Sequence, residues 1–127
     1  MSSLMPYQYV VLRCVPRVDR EEFINVGVML HCEDADFLGC GAHLDESRAR
    51  SLFPDLDLRS LQEVLDFVSG VCQGDSDLGL VANDKPSVRF GFLKAPRSTV
   101  VQPGPVHGGT TTDPAAELNR LLDRLVR

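Results

Sequence analysis

No apolar run in the chain approaches the roughly 20 residues needed to span a bilayer. Met1 to Pro6 has neither the basic start nor the apolar stretch of a signal peptide. The chain is therefore expected to be cytoplasmic, with no membrane partner. It also lacks a surplus of positive charge: 13 Lys and Arg against 18 Asp and Glu leave a net charge of -5. That balance opposes nonspecific nucleic-acid binding, although a local basic patch on an acidic body stays compatible with it. Paired cysteine spacings are missing too. Cys14, Cys32, Cys40 and Cys72 are separated by 18, 8 and 32 residues, which fits no zinc or thioredoxin-like pattern, so ordinary buried, reduced thiols are expected. No internal repeat, low-complexity tract or linker divides the sequence. A length of 127 residues, 43% of them hydrophobic, suits a single domain over 1–127.

What is present organises around Glu22 to Cys32, which reads as a central β-strand. Alternation places Ile24, Val26, Val28, Leu30 and Cys32 on one apolar face, and Phe23, Asn25, Gly27, Met29 and His31 on the other. Tyr7 to Val15 is a preceding strand, returned by the polar turn Pro16 to Glu21. With a near-symmetrical turn, Arg13 faces Asn25, Cys14 faces Ile24 and Val11 faces Gly27. A third strand, Leu38 to His43, follows. Pairing Leu38 with Cys32 and Cys40 with Leu30 sends Leu38, Cys40 and Ala42 into the core and leaves Gly39, Gly41 and His43 beside His31, Met29 and Gly27. The second face is then flat, glycine-rich and partly polar.

Helices complete the expectation. Asp45 caps a short one that ends at Pro54, and Asp57 caps a longer one with Leu58, Leu61, Leu65, Val68 and Cys72 on one stripe before Gly74. Gln73 to Pro86 reads as a loop. Val88 to Leu93 fits either a strand or a helical turn. Thr99 to Gln102 is a short extended segment whose following Pro103 and Pro105 suit an edge, and His107 to Thr112 reads as a loop. The last helix is capped by Asp113, with Pro114 at its first position and Leu118, Leu121, Leu122, Leu125 and Val126 as its stripe. The fold class is α+β: a small antiparallel sheet, with an N-terminal three-strand meander, packed with amphipathic helices.

Several segments together carry a resemblance. They are Tyr7 to Pro16, with Arg13 and Pro16; Glu22, Phe23, Asn25, Val26 and Gly27; the Ala95-Pro96-Arg97-Ser98 run; and the Asp113-Pro114 pair leading to the final Leu125-Val126. Over nearly the whole chain the sequence resembles the bacterial family called domain of unknown function 3037. It departs from that pattern at Cys14, where an aromatic is common, and at Glu21, where a glycine is common. The resemblance implies no activity. It does imply a genomic association with HipA-like kinases, which makes such a kinase the partner to look for.

The chemistry-bearing residues each have two readings. Arg13 with Asn25 reads as an anion or backbone-binding pair, or as a polar cross-strand pair closing the hairpin. His31 and His43 read as acid-base or metal-binding groups, or as ordinary packing and surface histidines, since no carboxylate or cysteine has matching spacing. Arg97 with Ser98, Thr99 and Arg89 resembles a phosphate-contacting cluster only loosely, because Gly104 and Gly108-Gly109 do not form a P-loop. Gly27 marks a place of close approach. The expected binding residues are thus Arg13, Asn25, Gly27, His31, His43 and Arg97, with no catalytic residue, metal or cofactor. The leading expectation is a non-catalytic binding or regulatory module with a protein partner, a HipA-like kinase among the candidates, and with room for a homodimer. The alternative is a small enzyme acting on a phosphorylated or nucleotide substrate through those same residues.

Overall fold

A computed structural model describes residues 3–95 and 99–127. Four strands form one antiparallel sheet in the order β3-β2-β1-β4, where β1 is Met5–Cys14, β2 Ile24–Cys32, β3 Phe37–Ala42 and β4 Val101–Thr111. The helices are α1 (Glu46–Leu52), α2 (Leu58–Gln73), α3 (Pro86–Lys94) and α4 (Pro114–Leu125). The fold is therefore α+β, and the three-strand meander is present.

Helix starts follow from local chemistry. Asp45, Asp57 and Asp113 each accept a hydrogen bond from the main-chain N–H three residues on, at Arg48, Ser60 and Ala116, and so satisfy donors that lack an intrahelical partner. Gly74 ends α2 in the left-handed conformation at φ 76°. The segment 86–94 resolves to a helix because Pro86 occupies its first turn, and Phe90 and Leu93, a turn apart, are its buried residues.

The alternation expected for β2 breaks at a bulge. Arg13 pairs with Asn25 and Cys14 with Ile24, as the hairpin turn implies, but Leu12 pairs with Gly27 and Val11 with Val28. One extra residue on β2 exchanges its faces from there onward. Ile24, Val26 and Met29 pack with Val10, Leu12 and Cys14 against α2 and α3, whereas Val28, Leu30 and Cys32 pack with Tyr7 against Leu118, Leu121 and Leu122 of α4. Both faces of the sheet are covered, in place of the single apolar face that the sequence suggested. That is why Val26 to Leu30 is an unbroken buried run.

Two further expectations are corrected. The β2–β3 register differs by one residue: His31 pairs with Leu38, Leu30 with Gly39 and Val28 with Gly41. Gly39 and Gly41 consequently face α4, while Leu38 and Cys40 pack into the α2 side. The stretch 107–111 is strand, not loop, since β4 runs along β1 from Val101 to Thr111. Its prolines are tolerated because the strand is at the edge and carries its own bulge, Val10 pairing with Val106 but Leu12 with Pro103.

Candidate binding site

The turn end of the β1–β2 hairpin brings together the residues on which an interaction site can be built. Arg13 and Asn25 are direct cross-strand partners. The Asn25 amide is committed within the chain, its Nδ2 donating to Leu125 O at 3.1 Å and so satisfying a carbonyl of the last turn of α4. Arg13 is not. Its guanidinium carbon sits 4.2 Å from the centroid of the Phe23 ring, a cation–π contact that orients the planar group without using its donors. The Nε is buried and has no hydrogen-bond partner. A buried donor left unpaired costs about 1–3 kcal/mol, and among the described residues His31 Nε2 is the other buried side-chain nitrogen without a hydrogen-bond partner.

Around Arg13 lies a cleft of about 330 Å³ lined also by Val15, Val18, Glu21, Phe23, Gln102 and Pro103. Glu21 holds a left-handed conformation at φ 56°. The Arg13 side chain crosses β4 at Gly104, where a Cβ would stand 3.1 Å from the guanidinium carbon, so the glycine is what admits it. A larger cleft of about 490 Å³ lies nearby, between the hairpin turn and the α1–α2 connection. Its arginines are already occupied: Arg17 pairs with Asp19 at 2.7 Å, and Arg20 pairs with Glu22. Among the described residues Arg13 forms no such ion pair.

The remaining expected site residues are elsewhere. His31 turns to the opposite face, where its ring lies 5.3 Å from that of Phe90 and its Nε2 3.3 Å from a Glu33 carboxylate oxygen. Burial lowers its pKa below the ordinary histidine value, against the opposing pull of Glu33. His43 is exposed beyond the end of β3, its main-chain N–H donating to Val26 O at 2.9 Å beside the bulge. Gly27 is a place of close approach, but within the sheet: a Cβ there would meet Gly41 O at 2.9 Å and Leu12 Cδ1 at 3.2 Å. Arg97 lies outside the described residues. Arg13 and Asn25 are thus together, and the histidines are not with them. Phe23, Gln102 and Gly104 belong to the site and were not read as such from the sequence, although a glycine between two prolines was a visible signal.

A second polar cluster fastens α4 to β1. Tyr7 donates its hydroxyl to Glu117 Oε2 at 2.5 Å, and Arg120 donates to both Glu117 oxygens at 2.5 and 3.0 Å. Burial, reinforced by the Glu117 carboxylate, pushes the Tyr7 phenol up to about 12, while hydrogen bonding from Arg120 holds the Glu117 carboxyl below its ordinary value. Among the thiols, burial raises Cys14 to about 11, and Cys72 is raised by its neighbour Cys40 and by burial. Such thiols are poor nucleophiles.

Among the described residues no three His, Cys, Asp or Glu side chains gather as metal ligands, and no helix is long and apolar enough to cross a membrane. No curated protein and no solved structure matches the chain. The match to one family model extends over residues 9–126, nearly the whole chain, and on that ground the protein belongs to the family described as "Protein of unknown function (DUF3037)".

Proposed function

We propose that the protein is a non-catalytic binding module of the bacterial cytoplasm, which recognises an acidic group of a protein partner through Arg13. The supporting observation is the guanidinium over the Phe23 ring, without an ion-pair partner among the described residues and bordering an open cleft. A carboxylate is the complement of a planar fork of N–H donors. It would pair with the donors of the fork that border the cleft, since Arg13 lines it and has no ion-pair partner among the described residues. A protein partner suits this better than nucleic acid, because the body carries a net charge of -5 and the neighbouring Arg17 and Arg20 are neutralised within the turn. The family association makes a HipA-like kinase the first partner to try. The enzymatic alternative loses ground because His31 and His43 stand apart from Arg13 and Asn25.

The test is affinity capture from the native cells with wild-type and Arg13→Gln baits of equal melting temperature, followed by titration with the purified partner. A partner held by wild type and weakened at least about tenfold by the substitution is expected. Identical capture by both baits, or none by either, would overturn the reading.

A further inference from the structure

β4 is the outermost strand on the β1 side of the sheet, and its free edge has an unusual composition. From Thr99 to Thr112 there is no Asp, Glu, Lys or Arg, in a chain of which these make up 24%. Edge strands ordinarily carry charge or proline against pairing with a further strand. Here the guard covers only half the edge. Val15 N–H donates to Val100 O at 2.7 Å, so alternation turns the peptide groups of the odd-numbered residues of β1 toward β4. Arg13 pairs with Gln102, which leaves Val101 and Pro103 facing outward, and Pro103 has no N–H to present. Past the bulge, Tyr9 pairs with His107, Tyr7 with Gly109 and Met5 with Thr111. Those three therefore point their peptide groups inward, and Val106, Gly108 and Thr110 point theirs outward. All three are exposed.

We infer that this half of the edge receives a second copy of the chain, β4 against β4, antiparallel about a twofold axis, so that two four-stranded sheets become one. In such a pair, outward-facing residues must meet outward-facing residues. Only one register employs Val106, Gly108 and Thr110 together: it sets Gly108 against its own copy and Val106 against Thr110 of the partner subunit. Each of these pairs exchanges two hydrogen bonds. His107, whose ring stacks on Tyr9 at 5.2 Å, then faces Gly109 of the partner subunit, which has no side chain to obstruct it. Pro105 bounds the pairing at its far end. An uncharged strand also meets itself without like-charge pairs, whereas a charged segment of another protein would find no counter-charge along this edge.

The test is sedimentation equilibrium of the full chain from micromolar to millimolar concentration. The mass is expected to rise from 14.0 kDa to twice that value. Gly108→Lys sets two like charges opposite one another at the axis; a Cβ there lies 3.6 Å from Tyr7 O, an ordinary contact, so the isolated chain accommodates it. Thr110→Pro removes an outward donor at an edge position whose N–H makes no bond to β1. Each substitution is expected to raise the dimer Kd at least about tenfold, with the melting temperature of the dilute protein unchanged. Hydrogen exchange of the wild type needs no variant: the Val106, Gly108 and Thr110 amides slow as concentration rises. A wild type that stays at the monomer mass at millimolar concentration overturns the inference, as does a dimer in which these amides exchange unslowed or both variants associate as wild type does.

Discussion

The side-chain amide of Asn25 donates to the main-chain oxygen of Leu125 across a hundred residues of chain, and so binds the end of the last helix to the turn end of the central strand. Asn25→Ala leaves that half-buried carbonyl without its partner. The expected loss is about 1–2 kcal/mol in a urea unfolding titration. Asn25→Asp should lose more, because a carboxylate would then face a carbonyl oxygen. If Asn25→Ala unfolds at the wild-type urea midpoint, the bond does not hold α4.

Gly27 and Gly41 are both tight, for different reasons that substitution separates. At Gly41 a Cβ would meet Leu122 Cδ2 at 2.9 Å, the far end of a flexible side chain on α4; at Gly27 it would meet the Gly41 carbonyl oxygen, which cannot move without breaking the sheet register. Gly41→Val should cost about 1–3 kcal/mol and be partly rescued by Leu122→Ala. Gly27→Val should cost at least as much in the isolated chain, without rescue by that second change. Strand propensity alone would favour valine by up to about 1 kcal/mol, so a gain at Gly27 would contradict the bulge geometry.

Val26→Asp places an unpaired carboxylate between β2 and the α2 side of the core, where Val26 is 1% exposed. A loss of about 3–5 kcal/mol is expected, a large part of the about 5–15 kcal/mol that holds an ordinary domain together. Exposed Arg124→Ala, by contrast, should stay within about 0.5 kcal/mol. Circular dichroism melts of the two variants make the comparison.

The cluster of Tyr7, Glu117 and Arg120 should leave its mark at both ends of the pH scale. The folded pKa of Glu117 lies below its ordinary value, so the stabilisation is complete above about pH 4.5 and is lost as pH falls through the lower folded value. The folded pKa of Tyr7 is raised from 10.0 to about 12; its contribution is complete below pH 10 and is lost as pH rises toward the folded value. Thermal melts against pH should show Glu117→Gln flattening the acid limb and Tyr7→Phe the alkaline one. Unchanged limbs would mean that these side chains do not govern them.

Helices α1, α2 and α4 were legible because each announces itself locally, whereas α3, with Lys85 at its start and no side-chain cap, read equally as a strand. An aspartate cap, a periodic leucine stripe and a terminal glycine or proline are all contiguous in sequence. The near half of the hairpin was legible too, since Arg13–Asn25 and Cys14–Ile24 lie between the turn and the bulge. The bulge itself was silent. Val26 and Val28 are both apolar, so a strand that changes face between them has the same pattern as one that does not, and the β2–β3 register inherited the error. The start of β4 and its edge character were legible from Thr99 to Gln102 and the two prolines, but the bulge that lets the strand run on past Pro103 and Pro105 to Thr111 was not. The site was legible to the extent of Arg13 and its partner. Its cover by Phe23 and its passage over Gly104 depend on contacts across strands, and His31 was misplaced by the same change of face.

The most direct test of the account is the Nε–Hε resonance of Arg13 in a 15N–1H spectrum during titration with a short acidic peptide. Saturable movement of the Arg13 signal, with that of exposed Arg59 left in place, is the expected result, because Arg13 borders the cleft without an ion-pair partner among the described residues while Arg59 is paired with Glu63. An Arg13 signal that stays still, or arginine signals that all drift together with added charge, would contradict it.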